Sequence, residues 1–453
     1  MSVDDDLIQR IARAIADAGG RALLVGGSVR DRLLGVPARG DLDIELFGID
    51  EQAARGVLAR FGEVLAVGRT FAVLRVKGLD VDFSLPRASS AAAGVRGDLG
   101  SAEPGLAFAR AARRRDLSIN AIGMDPLSGE ILDPLDGRGD LARGCLRAAD
   151  PALFAEDPLR GLRVARFAAR LHMQPDAQLL ALCRGLDLDG VAPERLFDEW
   201  RKLLLEPARP GEALELLAAT DLLRFFPALL ALRGVAQDPR WHPEGDVWVH
   251  TRMVVDAAAG LRTGADTDAA LMFAALCHDL GKPTTTVRDG ARVRATAHEA
   301  AGEQLTREFL TALRAPVALT HCVAALVRDH LAPAQFPLQG AGRAAFRRLA
   351  RRLHAAGASI ALLERVARAD QLGRTTPDAL SGRFPAGDAF LAQAALAQVR
   401  DEAPVDVVQG RHLIARGHAP GADFAAILAR CRAIQDRTGL EDPDRILDLL
   451  DEG

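Results

Sequence analysis

The sequence predicts an α+β protein in which a small N-terminal mixed-sheet unit is followed by helices to the end of the chain. Three observations predict it. Short apolar runs of strand type recur before residue 85, separated by glycine and proline turns. From Pro151 the apolar spacing becomes helical and stays so. At 453 residues the chain is too long for one core, so roughly two to four domains are expected.

Asp4 to Ala18 reads as an amphipathic helix, with Leu7, Ile8, Ile11, Ile15 and Ala18 on one stripe. The stretch from Leu23 to Leu46 then carries the chemistry. Ala22 to Val25 is a short strand that breaks at Gly26-Gly27. Ser28 to Leu34 reads as one or two helical turns, stopped by Gly35 and Pro37. Leu42 to Leu46 alternates, with Leu42, Ile44 and Leu46 on one face and Asp41, Asp43 and Glu45 on the other. Carboxylates two apart on a strand stand roughly 6–7 Å apart. They repel unless a cation lies between them. Mg²⁺, which prefers oxygen ligands and phosphates, meets that demand. The bare N–H groups of the glycine turn suit the phosphates. Asp-x-Asp alone is usually a solvated face. Joined to a Gly-Gly helix start it is rarer, and the phosphate-and-metal reading leads.

Glu51 to Arg60 reads as a helix. Phe71–Val76 and Leu79–Phe83 read as strands joined at Lys77-Gly78, with Asp80 and Asp82 sharing a face. Either acid fits a third carboxylate or a polar outer face. Ala88 to Gly105 is a loop rich in Ala, Ser and Gly. Arg113, Arg114 and Arg115, before Asp116, fit a solvated turn or a phosphate clamp. The first compact unit closes near residue 150.

Asp157-Pro158 fits an N-cap with proline at N1. The helix it opens aligns most of Arg160, Arg163, Arg166 and Arg170 on one side, as solvated surface or as a nucleotide or RNA contact. Pro193 starts another helix, and Leu214 to Leu232 reads as an apolar helical hairpin. A second constellation begins at WHPEGDVWVHT: His250, the pair His278-Asp279, then His298, His330 and Asp370. Imidazoles and carboxylates from several helices suit a transition metal better than Mg²⁺ alone. Arg343, Arg347, Arg348, Arg351 and Arg352 form a basic segment suited to an RNA backbone or to solvent. The tail from Leu391 is amphipathic helix.

Hydrophobic residues make up 49% and charged residues 26%, the balance of a soluble globular protein. No uncharged apolar run approaches ~18 residues, so no membrane span is expected. The acidic N-terminus lacks a signal-peptide pattern, and the five scattered cysteines suit reduced thiols, so a cytoplasmic protein is expected. A net charge of −4 excludes a globally basic nucleic-acid binder and leaves any RNA contact to local basic surface.

The motifs LLVGGSVRD, DLDIELFG, VDFSLPR, RRRDLSINAIG, LDPLDG, AEDPLRGLRVARFAAR and APERLFDEW occur in that order, followed by WHPEGDVWVHT, LCHDLGKP and ADQLGR. With these, the chain closely resembles the class II tRNA nucleotidyltransferase (CCA-adding enzyme) and poly(A) polymerase family, in its form with an HD phosphohydrolase domain. The likeness runs from about residue 20 to about residue 375. It implies a polymerase β-like nucleotidyltransferase head over 1–150 and a helical neck and body for nucleotide selection and RNA binding over 151–235. It further implies an HD domain over 236–380 and a helical tail over 381–453.

The resemblance implies roles position by position. Asp41 and Asp43 hold two Mg²⁺ ions that activate the RNA 3′-hydroxyl and steady the pyrophosphate, and Asp82 rather than Asp80 is the third carboxylate. Gly26, Gly27 and Arg30 meet the triphosphate, and Arg115 binds the nucleotide. Asp157 and Arg160 read the Watson–Crick edge of CTP or ATP, a role that competes with capping for Asp157. Arg163 and Arg166 add nucleotide contacts. His250, His278, Asp279 and Asp370 are the HD metal quartet, with His298 and His330 as further candidates. Related HD domains hydrolyse phosphomonoesters or 2′,3′-cyclic phosphates. One departure is visible. The family's basic, glycine-rich loop after Pro-Arg, which helps switch specificity from C to A, is RASSAAAGVRGD from Arg87 to Asp98 here.

The leading expectation is therefore an enzyme that adds or repairs the 3′-terminal CCA of tRNA from CTP and ATP, with no protein partner implied. Poly(A) polymerase and CC-only or A-only addition are alternatives within the family. An HD phosphohydrolase whose front half only binds nucleotide or RNA is the alternative from another class.

Overall fold

The computed structural model describes residues 5–36, 42–67, 73–86, 103–290, 292–421 and 423–452. Expectations that fall wholly or partly outside these residues include Asp41, the first two residues of the strand Phe71–Val76, and the loop from Arg87 to Asp98. The chain divides into two compact units, Met1–Val191 with Thr220–Leu222, and Ala192–Ala219 with Leu223–Gly453.

In the first unit, β1 (Arg21–Val25), β2 (Leu42–Phe47), β3 (Val64–Val67), β4 (Val73–Val76), β5 (Val81–Ser84), β6 (Gly123–Met124) and β7 (Ile131–Leu132) form one sheet. Its order is β3-β4-β5-β2-β1-β6-β7, and β2 runs parallel to β5 while its other neighbours pair antiparallel. The period of two fixes which face each residue takes. Leu24, Ile44, Leu46, Leu74, Val76, Val81 and Phe83 share a core with α1 (Asp5–Asp17) and with α3 (Glu51–Leu58). Ile8, Ile11 and Ile15 of α1 are essentially fully buried there. Each contributes roughly 1.5–3 kcal/mol of transfer free energy. Leu23, Val25 and Phe47 form a second cluster with Leu106 and Ala111. Alternation sends Asp43 and Glu45 to that second side, since their register partners on β1 are Val25 and Leu23.

Between β1 and β2 lies α2 (Gly27–Leu33), the helix expected after the glycine turn. A helix unannounced by the sequence, α4 (Phe108–Ala112), precedes the arginine triplet, and Phe108 packs edge-on against Phe47 at 6.0 Å between centroids. Then follow α5 (Gly137–Arg143), α6 (Arg160–Leu171) and α7 (Ala177–Arg184). The start of α6 corrects the capping expectation in detail. Asp157 Oδ1 accepts from Leu159 N at 3.3 Å, and a tight turn (Arg160 N to Asp157 O, 3.0 Å) precedes the helix proper. Asp157 therefore holds the turn three residues before the helix, whose N-cap position is Leu159, and Pro158 is not its first helical residue.

The second unit is predominantly helical. Thr267–Cys277 lies at its centre, with every residue from Ala270 to Cys277 buried. Trp200, fully buried on Pro193–Leu205, meets Phe226 and Phe309 edge-on at 5.0 and 6.2 Å. Two expectations are corrected here. A two-stranded hairpin, Thr286–Asp289 with Arg292–Ala295, interrupts the helical run. The expected hairpin from Leu214 to Leu232 is one helix ending at Ala219, a 3₁₀ turn and a four-residue helix, because Asp221 adopts a left-handed φ of 59° that no continuing helix allows.

The basic segment is the helix Arg343–Ala355, and two of its five arginines, Arg347 and Arg351, face inward. Arg347 is buried and donates to Gln435 O at 3.2 Å, Arg351 pairs with Asp406 and Asp436, and Arg352 pairs with Asp329 at 2.7 Å. Arg343, Arg348 and Arg352 are exposed. The tail forms its own core from Leu413, Cys431, Ile446 and Leu447. Among the described residues no helix is long and apolar enough to cross a membrane.

Candidate functional site

In the sheet unit the candidate residues gather where β1 ends. Gly26 has φ 74°, a conformation glycine adopts without penalty. A Cβ there would lie 2.9 Å from Arg115 Nη1 and 3.2 Å from Asp43 Oδ2. The turn thus needs glycine twice, for its backbone and for the cation and carboxylate that press against it. Asp43 is the register partner of Asp82 on the parallel neighbour, so the two side chains share a face on strands roughly 4.8 Å apart. Asp80 precedes the strand and is exposed. Arg115 Nη2 stands 3.6 Å from Glu45 Oε2, closing the ring of charges. Arg75, which the sequence did not single out, faces Asp82 from β4 and holds its carboxylate with two guanidinium nitrogens.

The remaining arginines of the expectation lie deeper. Arg30 is 1% exposed; it donates to Asp31 at 2.6 and 2.8 Å and to Asn120 Oδ1 at 2.6 Å. Burial lowers its pKa despite Asp31. Arg160 is buried too and clasps backbone carbonyls, those of Leu153 at 2.7 Å and Arg114 at 2.5 Å. Arg163 pairs with Asp116 at 2.6 Å, and Asp116 also accepts from Asn120 at 3.0 Å and Leu117 N at 2.8 Å. Burial pushes the Asp116 carboxyl up, but Arg163, Asn120 and the Leu117 N–H outweigh it and hold it well below 3.8. Arg166, Arg30 and Arg163 lie 4.3, 5.0 and 5.5 Å from the centroid of the Phe167 ring, favourable cation–π distances. Arg170 reaches Asp31 at 3.0 Å. Asp31, Asp116, Asn120 and Phe167 were in the quoted motifs but went unassigned. The signal was available: cations in apolar runs require buried partners.

All six candidates of the second constellation converge. His250 Nε2 is 3.0 Å from Asp370 Oδ1 and 3.9 Å from Asp279 Oδ2. His278 Nε2 is 3.1 Å from Asp279 Oδ2, and His298 Nε2 is 3.4 Å from both Asp279 Oδ1 and His330 Nε2. Local structure aims the rings. His278 and His330 follow the last turns of Thr267–Cys277 and Val317–Asp329, where carbonyls lack helical partners. Each Nδ1 engages the carbonyl three residues back, Ala275 O at 2.8 Å and Val327 O at 2.6 Å, and His298 does the same with Ala295 O at 2.9 Å. His250 Nδ1 instead meets Glu244 Oε1 at 2.8 Å. The Nδ1 atoms of His278, His298 and His330 are hydrogen-bonded and that of His250 lies beside Glu244, so each Nε2 is left toward the cluster, as metal-ligating histidines require. Gly281 lets the elements close up, since a Cβ there would lie 2.0 Å from His298 O.

The donors fit a metal. His278 Nε2 and both Asp279 carboxylate oxygens are buried without a hydrogen bond. Two triads, His250–His278–Asp279 and Asp279–His298–His330, each bring their ligand atoms within 4.8 Å of one another. Burial raises Asp279 and Asp370, yet His278 and Lys282 beside the first, and Arg374 and His250 beside the second, hold both well below the usual carboxylate range. Burial pushes His330 down to about 3, so it stays neutral with a lone pair to offer. Lys282, Arg374, Glu244 and His242 were missed as site residues. For Lys282 and Arg374 the signal was the spacing of three from Asp279 and four from Asp370, which puts each cation one turn from its acid. Glu244 and His242 stood in WHPEGDVWVHT without one.

The family model described as Poly A polymerase head domain matches residues 22–147. That of a probable RNA and SrmB-binding site of polymerase A matches 181–232, and that of the HD domain matches 247–374. The multifunctional CCA protein of Methylococcus capsulatus is 38% identical over 318 residues, covering 68% of this chain and 72% of that protein. Its counterpart in Laribacter hongkongensis is 39% identical, covering 65% and 71%. Among solved structures, the Bacillus stearothermophilus CCA-adding enzyme in complex with CTP superimposes with a TM-score of 0.67 at 23% identity, covering 100% of this chain and 98% of that one. The Thermotoga maritima CCA-adding enzyme complexed with tRNA gives 0.58 at 16%, covering 99% and 94%. These two show a shared fold. The extent and identity of the curated relatives show the family: this chain belongs to the multifunctional CCA proteins, the branch of the tRNA nucleotidyltransferase and poly(A) polymerase family that carries an HD domain.

Proposed function

We propose that this protein adds or repairs the 3′-terminal CCA of tRNA from CTP and ATP, without a nucleic-acid template and with release of pyrophosphate. Its relatives carry the name of that activity. The observation that supports it most directly is the meeting of Asp43 and Arg115 on the bare backbone of Gly26, with Asp82 alongside. The RNA 3′-oxygen bonds to the α-phosphorus, the bond to pyrophosphate breaks, and the hydroxyl proton leaves. Asp41, Asp43 and Asp82, an all-oxygen set, would hold Mg²⁺, which when bound neutralises charge developing on the phosphates. Arg115 and the Gly26-Gly27 turn face the triphosphate. Arg30, Arg160, Arg163 and Arg166 brace the nucleotide wall, with Asp157 and Arg160 at the base edge. The cytoplasm, where tRNA ends are processed, is the proposed location.

The second centre, with nitrogen and oxygen donors, suits a divalent transition metal and hydrolysis of phosphate esters. His250, His278, Asp279 and Asp370 would hold the ion, and His298 and His330 would complete a second triad through Asp279. Lys282 and Arg374 attract the phosphate.

A gel of tRNA lacking its CCA end, incubated with CTP, ATP or both, tests the first activity. Full extension is expected only with both nucleotides, and Asp43→Ala abolishes it. CTP that never enters such tRNA, or long A-tracts on unrelated RNA, overturns the proposal.

A further inference from the structure

The chain has three tryptophans and no tyrosine. Trp200 and Trp248 are 0% and 4% exposed, whereas Trp241 is 62% exposed. A single exposed apolar residue needs no explanation by itself, so what matters is where this ring lies. Trp241 lines a cavity of about 560 Å³ together with Asp279, His298, His330 and Asp370. Lys282 and Arg374 line it as well, giving the metal-donor end a cationic margin. The volume falls in the range of small-ligand sites, roughly 300–1,000 Å³.

The backbone that carries the indole is fixed. Trp241 N and His242 N both donate to Asp238 O, at 3.0 and 2.9 Å, and the Asp238 carboxylate is bridged by Arg240 at 3.0 Å. One residue on, His242 Nδ1 meets Glu244 Oε1 at 2.9 Å, and the same oxygen is 2.8 Å from His250 Nδ1. The aromatic platform is therefore tied through Glu244 to an imidazole of the donor cluster. A ligand seated here meets anion-attracting groups at one end and a π-face at the other.

We propose that Trp241 is the base-stacking, specificity-determining residue of this centre, and that its ligand is a nucleoside phosphate with the phosphate at the Asp279–Asp370 end. The proposal rests on reading this centre as a phosphate-ester hydrolase. Because every base has a π-face, stacking distinguishes nucleotides from base-free phosphates and discriminates little among bases.

The test uses the full chain supplemented with Mn²⁺, with adenosine 3′-monophosphate and ribose 5-phosphate as probes. For Trp241→Ala, KM for the nucleotide rises roughly 5- to 100-fold, the span expected for one stacked base, with kcat retained. Its kcat/KM for ribose 5-phosphate is unchanged, and Trp241→Phe restores most of the nucleotide KM. Equal losses for both substrates, or no change in either, overturn the proposal. A second readout separates it from the hydrolase reading. Adenosine 3′-monophosphate quenches wild-type tryptophan fluorescence, and the quench disappears in Trp241→Phe. A quench without hydrolysis of either probe supports stacking and removes the hydrolase. Hydrolysis without a quench removes the stacking and keeps the hydrolase.

Discussion

Asp116 and Gly26 are single residues on which the sheet-unit site depends. Asp116 is buried among Arg163, Asn120 and the Leu117 N–H, and its carboxyl sits well below 3.8 in the fold. A group depressed in this way stabilises the native state at pH values above its unfolded pKa, and the contribution is lost as pH falls through its folded pKa. Asp116→Asn should therefore cost about 2–3 kcal/mol at pH 7, less than a fully buried pair because Arg163 is about a third exposed. Urea midpoints check this, and the gap between variant and parent should close as pH drops below 3.8. At Gly26 the expectation differs. Alanine at φ 74°, ψ −139°, a backbone region open essentially to glycine alone, costs about 1–3 kcal/mol. Its Cβ would displace Arg115 and Asp43. Gly26→Ala should keep its far-UV circular dichroism and lose at least about tenfold in nucleotide transfer. Both residues stood in quoted motifs, but only the glycine announced itself. An aspartate after three arginines reads as surface until the fold buries it.

The helix Arg343–Ala355 separates an element's composition from its use. Five arginines on one helix satisfy the pattern of an RNA-tracking surface, yet Arg347 and Arg351 attach it to the tail. Arg351→Ala should expose the segment after residue 400 to limited proteolysis and leave the salt dependence of tRNA binding unchanged. A shallower salt slope would return the helix to RNA binding. In the second constellation, elements decide ligand geometry. His278 and His330 sit at helix C-termini, where their Nδ1 atoms meet last-turn carbonyls and their Nε2 atoms turn inward. His278→Ala should lower the metal bound after Mn²⁺ loading, read by elemental analysis, with helix content unchanged. The sequence supplied all six donors by type and order. Which ring nitrogen faces inward depends on where each helix stops, which periodicity fixes only to within a turn.

At the scale of the molecule, the thiols report on the two units separately. Cys145 and Cys183 lie in the first unit and Cys277, Cys322 and Cys431 in the second. Burial pushes Cys183 up to about 12 and Cys322 up to about 11, and raises Cys277 further. At pH 8 about one Cys322 in a thousand is thiolate. Iodoacetamide at that pH should label half-buried Cys145 first, and the others only as urea opens their unit, with masses read by peptide. Early labelling of Cys183 or Cys322 would contradict the burial.

The α+β division, the glycine turn, the acidic strand and the histidine order were legible because they rest on local rules: the period of two, the period of 3.6, and glycine's freedom at positive φ. The short helices α4 and Pro227–Leu230, the hairpin Thr286–Ala295 and the inward arginines were not. The two helices and the hairpin are short and local, with too few residues to show a period. The inward arginines instead owe their place to partners far apart in the chain, such as Arg30 with Asn120, 90 positions away, or Arg351 with Asp436, 85 away. By itself the sequence determined which chemical groups are present and along which face each element carries them. Tertiary structure alone decided which charges are neutralised by one another and which are left facing a ligand, because burial removes water and makes the nearest partner, however distant in sequence, set the energy of each charge.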